Sequence, residues 1–387
     1  MHLLISALSF PTPALQITAF LEVLAREMVR QGVDVTVVAP QSLTTCWKHK
    51  IPLCPQRYEL SIETEAGLKK MSILRPFSLT LGQGRFNRLS HKIDRFVVHR
   101  TIKKVAPPPD IIYSHFWLAA ENVVDYAVNN HIPLFVATGE HKINIDRDLD
   151  DKRIAFIREN TNGVICVSTK NKVESIEHRL TDGRNAIVLP NAVDNSLFYQ
   201  HNKKEMREKL GFPQDVFIVA FCGRFSHRKG CRRLSDAITM LGDRQIKSVF
   251  IGQAVGEGLA DPVCEGILHK GPLNHHVIPE YLSAADVFVL PTLAEGCSNS
   301  IVEAMSCGLP IISSDMPFNY DVLDDGNAIL VDPMKVEEIA KAISKIKENK
   351  ELREQMSMLS LKKAGELGIE KRVEKILAFV HNKKEVM

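Results

Sequence analysis

Residues 290–310 read L-P-T-L-A-E-G-C-S-N-S-I-V-E-A-M-S-C-G-L-P, and this stretch decides the architecture. The apolar run Val287, Phe288, Val289, Leu290 predicts a short strand that ends at Pro291. A turn of small and polar residues follows, then a short helix that Gly308 and Pro310 stop. Glu295 and Glu303 stand on the two sides of the turn in an E-x7-E arrangement. Ser298, Asn299 and Ser300 fall where a helix has unpaired N–H groups and where its dipole favours negative charge. Such a turn can seat a phosphate, with two carboxylates ready to accept hydrogen bonds from sugar hydroxyls. A capped strand–turn–helix without a ligand has the same pattern, so the rest of the chain must discriminate.

With 387 residues the chain exceeds one hydrophobic core, and two domains are expected. Hydrophobic residues make up 45% and charged residues 25%, an ordinary globular balance. The net charge of +3 is too small to imply nucleic acid. Eight cysteines, at 46, 54, 166, 222, 231, 264, 297 and 307, form no C-x-x-C pair and read as small buried hydrophobes. No apolar run reaches the roughly 18 residues that cross a bilayer. The opening M-H-L-L-I-S-A-L-S-F lacks a basic leader and reads as a buried strand rather than a signal peptide, so a cytoplasmic location is expected.

Strands and helices alternate in both halves. Residues 3–8 and 33–38 are strand-like and flank a helical stripe of Ile17, Phe20, Leu21, Leu24 and Met28 that Gly32 ends. This βαβ unit requires parallel strands and a right-handed crossover. The pattern restarts at residues 216–222 and continues through strands at 247–251, 287–290 and 310–313. The expected division is 1–193 and 194–367, with a helix at 368–387 returning to the first domain. The fold class is therefore α/β, two Rossmann-like doubly wound domains facing across a cleft, with ligands at the carboxyl ends of the strands.

In F-C-G-R-F-S-H-R-K-G, residues 221–230, Gly223 follows a strand, and Arg224 and Lys229 lie on the turn behind it. An arginine fork and a lysine point charge suit a diphosphate and can neutralise a leaving group. Arg228, Arg232 and Arg233 alongside leave open a solvated basic loop.

The combined pieces resemble the family 4 retaining glycosyltransferases of the GT-B fold. They are L-P-N-A-V-D (189–194), G-R-F-S-H-R-K-G (223–230), V-F-I-G (249–252), Y-L-S-A-A-D-V-F-V-L-P (281–291) and E-G-C-S-N-S-I-V-E-A-M-S-C-G-L-P (295–310). The first half matches more loosely, through Q-G-V-D-V-T-V-V-A-P (31–40) and Y-S-H-F-W (113–117). The resemblance implies a nucleotide-diphosphate sugar donor, a glycan or lipid-linked acceptor in cell-surface polysaccharide or glycolipid assembly, retention at the anomeric carbon, and no metal or other cofactor. It assigns the donor diphosphate to Arg224 and Lys229, the phosphate seat to the N–H groups of Ser298, Asn299 and Ser300, the ribose to Glu303, and the sugar ring to Glu295. It places a polar catalytic group after the strand ending near Ala137, where this chain offers Glu140 or His141, with His115 a further candidate. Residues 9–15, S-F-P-T-P-A-L, lack the glycine-rich turn usual in the family after its first strand. A nucleotide-sugar epimerase of the same fold, or a non-catalytic nucleotide-sugar-binding protein, is the alternative.

Other motifs fall away. Asp146-Arg147-Asp148 opens a polar stretch instead of ending an apolar strand, Gly82-x-Gly84 and Gly256-x-Gly258 lack a third glycine, and His275-His276 reads as a loop without partners. Between residues 85 and 104, seven basic residues surround Phe86, Leu89, Ile93, Phe96 and Val97 at helical spacing. This helix either lies on an anionic membrane surface, making the protein peripheral on the inner face of the membrane, or packs its apolar stripe on the first domain.

Overall fold

The computed structural model describes residues 1–12, 19–81, 85–254 and 260–385. Pro13, Ala14, Leu15 and Ile17 lie outside the described residues, as do Gly82, Gly84, Gly256 and Gly258. The chain divides into two units, Met1–Leu189 with Ile369–Met387, and Pro190–Gly368.

The first unit holds strands β1 (His2–Ala7), β2 (Asp34–Val38), β3 (Gln41–Ser42), β4 (Arg57–Thr64), β5 (Gly67–Leu74), β6 (Phe77–Ser78), β7 (Ile111–His115), β8 (Leu134–Thr138), β9 (Gly163–Cys166) and β10 (Ala186–Val188). Eight of them form one sheet in the order β10-β9-β8-β7-β1-β2-β5-β4. Every pairing is parallel except β4 with β5, a hairpin at the sheet edge. The sequence reading missed this hairpin, although Tyr58, Leu60 and Ile62 of β4 alternate with polar residues as a half-buried strand does. Its helices are α1 (Ala19–Arg30), α2 (Leu43–His49), α3 (Arg85–Ile102), α4 (Trp117–Glu121), α5 (Val124–Asn129), α6 (Asp151–Glu159) and α7 (Thr169–Glu177).

The second unit holds α8 (Lys203–Leu210), β11 (Phe217–Cys222), α9 (Cys231–Leu241), β12 (Ile246–Ile251), β13 (Ile267–Gly271), α10 (Ile278–Ala284), β14 (Val287–Leu290), α11 (Asn299–Ser306), β15 (Ile311–Ser314), β16 (Ala328–Val331), α12 (Val336–Glu348) and α13 (Lys350–Ala364). Its six strands are all parallel, in the order β13-β12-β11-β14-β15-β16. Strands β11, β14 and β15 are buried throughout because helices cover both faces, which explains the unbroken apolar runs of β11 and β14. The final helix, α14 (Ile369–Glu385), belongs to the first unit. Val373, Ile376 and Val380 are fully buried there, each contributing about 1.5–3 kcal/mol, and the Phe379 ring meets Phe135 edge-on at 6.0 Å.

The apolar stripe of α3 divides between the two readings, with Ile93 and Val97 half-buried. Ser90, Val98 and Ile102 are the buried residues, while Phe86, Leu89 and Phe96 are 51%, 46% and 64% exposed. Polar bonds fix this orientation: Ser78 Oγ donates to Asp94, Asn87 Nδ2 to Asp148 Oδ1 (2.6 Å), and Arg95 Nη1 to Glu121 Oε1 (2.9 Å). Among the described residues no helix is long and apolar enough to cross a membrane.

Candidate active site

In the second sheet the chain runs from β11 outward to β12 and β13, then crosses to β14 on the other side. The loops leaving β11 and β14 therefore diverge at the switch point, where doubly wound folds bind ligands. These loops are residues 223–230 and 291–298, the two segments singled out by sequence.

Three bonds knit the loops together. Leu293 N donates to Arg228 O (2.8 Å), Arg233 Nη2 donates to Pro291 O (2.8 Å), and Arg233 Nη1 donates to His227 O (2.9 Å). Arg233 is buried and braces backbone, which corrects its reading as part of a solvated basic loop. Gly230 sits at φ +79°, and a Cβ there would lie 2.3 Å from Pro291 O, so only glycine permits this approach.

Glu295 is the centre of the contact. Its Oε1 accepts from Lys229 Nζ (2.7 Å), Arg228 Nη1 (2.8 Å) and Thr292 Oγ1 (2.8 Å). Its Oε2 has no protein partner among the described residues. Arg228, dismissed by sequence, is thus a site residue; its adjacency to Lys229 was the available signal. Arg224 is exposed and makes no ion pair or hydrogen bond among the described residues.

Glu303 repeats the pattern. Its Oε1 lies 3.1 Å from His275 Nε2, and Oε2 has no protein partner among the described residues. His275, set aside by sequence as a loop residue without metal-ligand partners, is thus bonded to Glu303, and the bond holds its pKa above the ordinary value. Burial first, then the charge of Glu303, raises the Cys222 thiol at the end of β11 and pushes Cys307 up to about 12, while Lys229 opposes the shift at Cys222. Cys222 therefore feels both Glu303 and Lys229, which puts the two chemical groups in one neighbourhood.

Helix α11 begins at Asn299 with Ser298 as its N-cap. The Ser298 hydroxyl makes no capping bond and instead lies 3.1 Å from Ser300 Oγ, leaving the first-turn N–H groups without a side-chain cap. Asn191 Nδ2, in the L-P-N-A-V-D motif, donates to Cys297 O (2.9 Å) and steadies the turn before the helix. Asp286 of Y-L-S-A-A-D is at the opposite end of the sheet. It binds Arg207 Nη2 (2.6 Å), Lys203 Nζ (2.8 Å) and Ile218 N (2.8 Å), and so serves the fold.

Residues 202–360 match the family model described as glycosyl transferases group 1. The matched residues lie within the second unit. TuaC of Bacillus subtilis, which carries the name of a teichuronic acid biosynthesis glycosyltransferase, is 26% identical over 331 residues, covering 84% of each chain. An Escherichia coli UDP-Gal:alpha-D-GlcNAc-diphosphoundecaprenol alpha-1,3-galactosyltransferase is 28% identical over 235 residues, 57% of this chain and 60% of that one. The crystal structure of Anabaena Alr3699/HepE in complex with UDP has a TM-score of 0.73 at 18% identity and covers 99% of this chain and 100% of that one. The two Rossmann-like units are those of the GT-B glycosyltransferase fold.

In the first unit the candidate residues sit at the carboxyl ends of β7 and β8. Glu140 has its carboxylate committed to the fold: Oε2 accepts from Thr138 Oγ1 (2.6 Å) and Gly139 N (2.9 Å), and Oε1 from Trp117 N (3.2 Å) at the start of α4. Burial raises its pKa against these donors. His141 is exposed, and its carbonyl accepts from Lys170 Nζ (2.8 Å). His115 ends β7 with its ring stacked on Phe116 at 4.1 Å, and burial pulls its pKa down to about 4 with help from the Arg372 charge, so it is neutral near pH 7. Asp148 of the D-x-D motif accepts from Asn87, a structural bond; the Asp146 side chain lies outside the described residues.

Proposed function

We propose that this chain is a family 4 retaining enzyme that moves a sugar from a nucleotide diphosphate to an acceptor hydroxyl in cell-surface polysaccharide or glycolipid assembly. One observation carries the reading: Glu295 and Glu303 each have one carboxylate oxygen held by a basic side chain and the other open to accept hydroxyl donors. In this reading Glu303 accepts from the ribose diol and Glu295 from the transferred sugar. Arg224, Lys229 and the first-turn N–H groups of Ser298, Asn299 and Ser300 take the diphosphate. Breaking the bond from the anomeric carbon to phosphate builds charge on the leaving oxygen, and these fixed donors lower the barrier without a metal ion. The acceptor oxygen bonds to the anomeric carbon on the same face, and its proton passes to the departing phosphate. Within the first unit, His141 is proposed as the polar catalytic group, and Glu140 holds the backbone beside it.

The names of the relatives, which include a diphosphoundecaprenol-linked acceptor, support a lipid-borne acceptor. The first unit supports a peripheral position on the inner face of an anionic membrane. Its outward Phe86, Leu89 and Phe96 are flanked by exposed Arg88, Lys92 and Arg100, and each basic group near anionic lipid adds about 1 kcal/mol.

The test is release of nucleoside diphosphate from a panel of UDP-, GDP- and ADP-sugars by the purified protein, with and without lipid-linked acceptor. Transfer by the wild type that is lost in Lys229→Ala and Glu303→Ala supports the reading. Nucleotide binding without release from any donor would make the protein a binder and overturn catalysis.

A further inference from the structure

Helix α10 is preceded by a single tight turn, His275–Val277, which Asn274 caps by accepting from His276 N at 3.1 Å. The cap rotates the two adjacent histidines apart and leaves only His275 on Glu303, at 3.1 Å. Phe198, itself buried, supports the imidazole with ring centroids 4.9 Å apart. The imidazole is therefore gripped on two sides, by a ring and by a carboxylate. Three separate segments meet at this point: the 190–198 stretch, the loop after β13, and α11. The charged groups facing the ring are Glu303 from α11 and Asp194 from the 190–198 stretch; Cys222 and Cys307 adjoin Glu303 from β11 and the end of α11.

We infer that His275 is a positioning residue for the nucleotide ribose, fixing the plane of the Glu303 carboxylate so that its open oxygen meets the sugar diol. This rests on the assignment of Glu303 to ribose made above. The physical argument is one of orientation. A glutamate side chain has three rotatable torsions, and a carboxylate left to itself in a partly solvated site samples several of them. Anchoring Oε1 removes that freedom before the ligand arrives, while a carboxylate retains lone pairs for two further donors. His275 touches the glutamate and not the reacting carbon, so it acts on binding and leaves the chemical step alone. The bond survives in either ring state, provided that the neutral ring carries its proton on Nε2.

Calorimetry with UDP, ADP and GDP tests this, using whichever the wild type binds most tightly, together with the 2′-deoxy form of that nucleotide. His275→Ala is expected to weaken the ribonucleotide about fivefold to tenfold, from the loss of one charge-assisted hydrogen bond, with kcat within about twofold. His275→Gln, which keeps an N–H donor, restores most of the affinity. The 2′-deoxy nucleotide and the Glu303→Ala background show a much smaller effect of His275→Ala. An equal loss for the ribo and deoxy forms, or an undiminished loss in Glu303→Ala, would overturn the inference while leaving the donor site standing. Failure of the wild type to bind any of the three nucleotides would instead overturn the donor site itself.

Discussion

Lys229 Nζ lies 2.7 Å from Glu295 Oε1, joining the loop after β11 to the loop after β14 at the switch point of the second sheet. Arg228 reaches the same oxygen at 2.8 Å, so one carboxylate oxygen holds two cations ready. In the proposed donor reading, a diphosphate would share these two cations with a carboxylate already in place, on side chains held in position beforehand.

Removing one of the two cations separates their roles. Lys229→Ala leaves Glu295 paired with Arg228 and Thr292, so folding survives. Turnover falls by about 10²-fold, by analogy with loss of a preorganised donor to a developing anion. Steady-state transfer assays check this, and a loss below about fivefold would mean that Lys229 serves only the ion pair.

The two glutamates should fail differently. Glu303→Ala mainly weakens nucleotide binding, by about tenfold, as loss of hydrogen bonds to a charged group predicts. Glu295→Ala spares binding and lowers turnover instead. Parallel calorimetry and kinetics would reveal a reversed assignment.

Gly230 tests the packing of the two loops. Gly230→Ala places a methyl against Pro291 O and forces a left-handed backbone on an L-residue, costing about 2–4 kcal/mol together. Urea unfolding measures the loss directly. A variant of wild-type stability would show that the loops are not held this closely.

The stability of the chain should carry a signature of His275. Glu303 raises its folded pKa above the ordinary 6.5. The contribution is therefore complete below that ordinary value and is lost as the pH climbs through the raised folded value. The stability advantage of wild type over His275→Gln shrinks across that window on going to alkaline pH. Solvent screening of the partly exposed ring keeps the effect small. An advantage that grows with pH would contradict the ion pair.

On the first unit, Leu89→Ser with Phe96→Ser should abolish flotation with anionic liposomes, and Arg88→Glu with Lys92→Glu should do the same at low salt. All four side chains are exposed, so folding is spared. Arg95 is left alone because it is tied to Glu121. Unchanged flotation in both variants would remove the membrane from the account.

Local pattern carried much of this protein. The apolar runs of β1, β11 and β14 are long enough, and buried enough on both faces, to be read directly as parallel strands. The edge hairpin of β4 and β5 was readable in part, since Tyr58, Leu60 and Ile62 of β4 alternate with polar residues, but β5 carries the adjacent Lys69 and Lys70, which break the alternation. The E-x7-E turn was legible for a similar reason: the start of a helix and its flanking carboxylates lie within one short segment.

By itself, then, the sequence determined the alternation of strands and helices, the turn that bears Glu295 and Glu303, and the existence of a basic helix with an apolar stripe. Tertiary structure alone decided that Arg228 and Lys229 meet Glu295, that His275 meets Glu303, that Glu140 is consumed by local donors, and that Phe86, Leu89 and Phe96 of α3 face outward. The reason is range. Periodicity reports which side chains share a face, whereas the partner of a charge 28 or 67 residues away depends on the order in which strands enter the sheet.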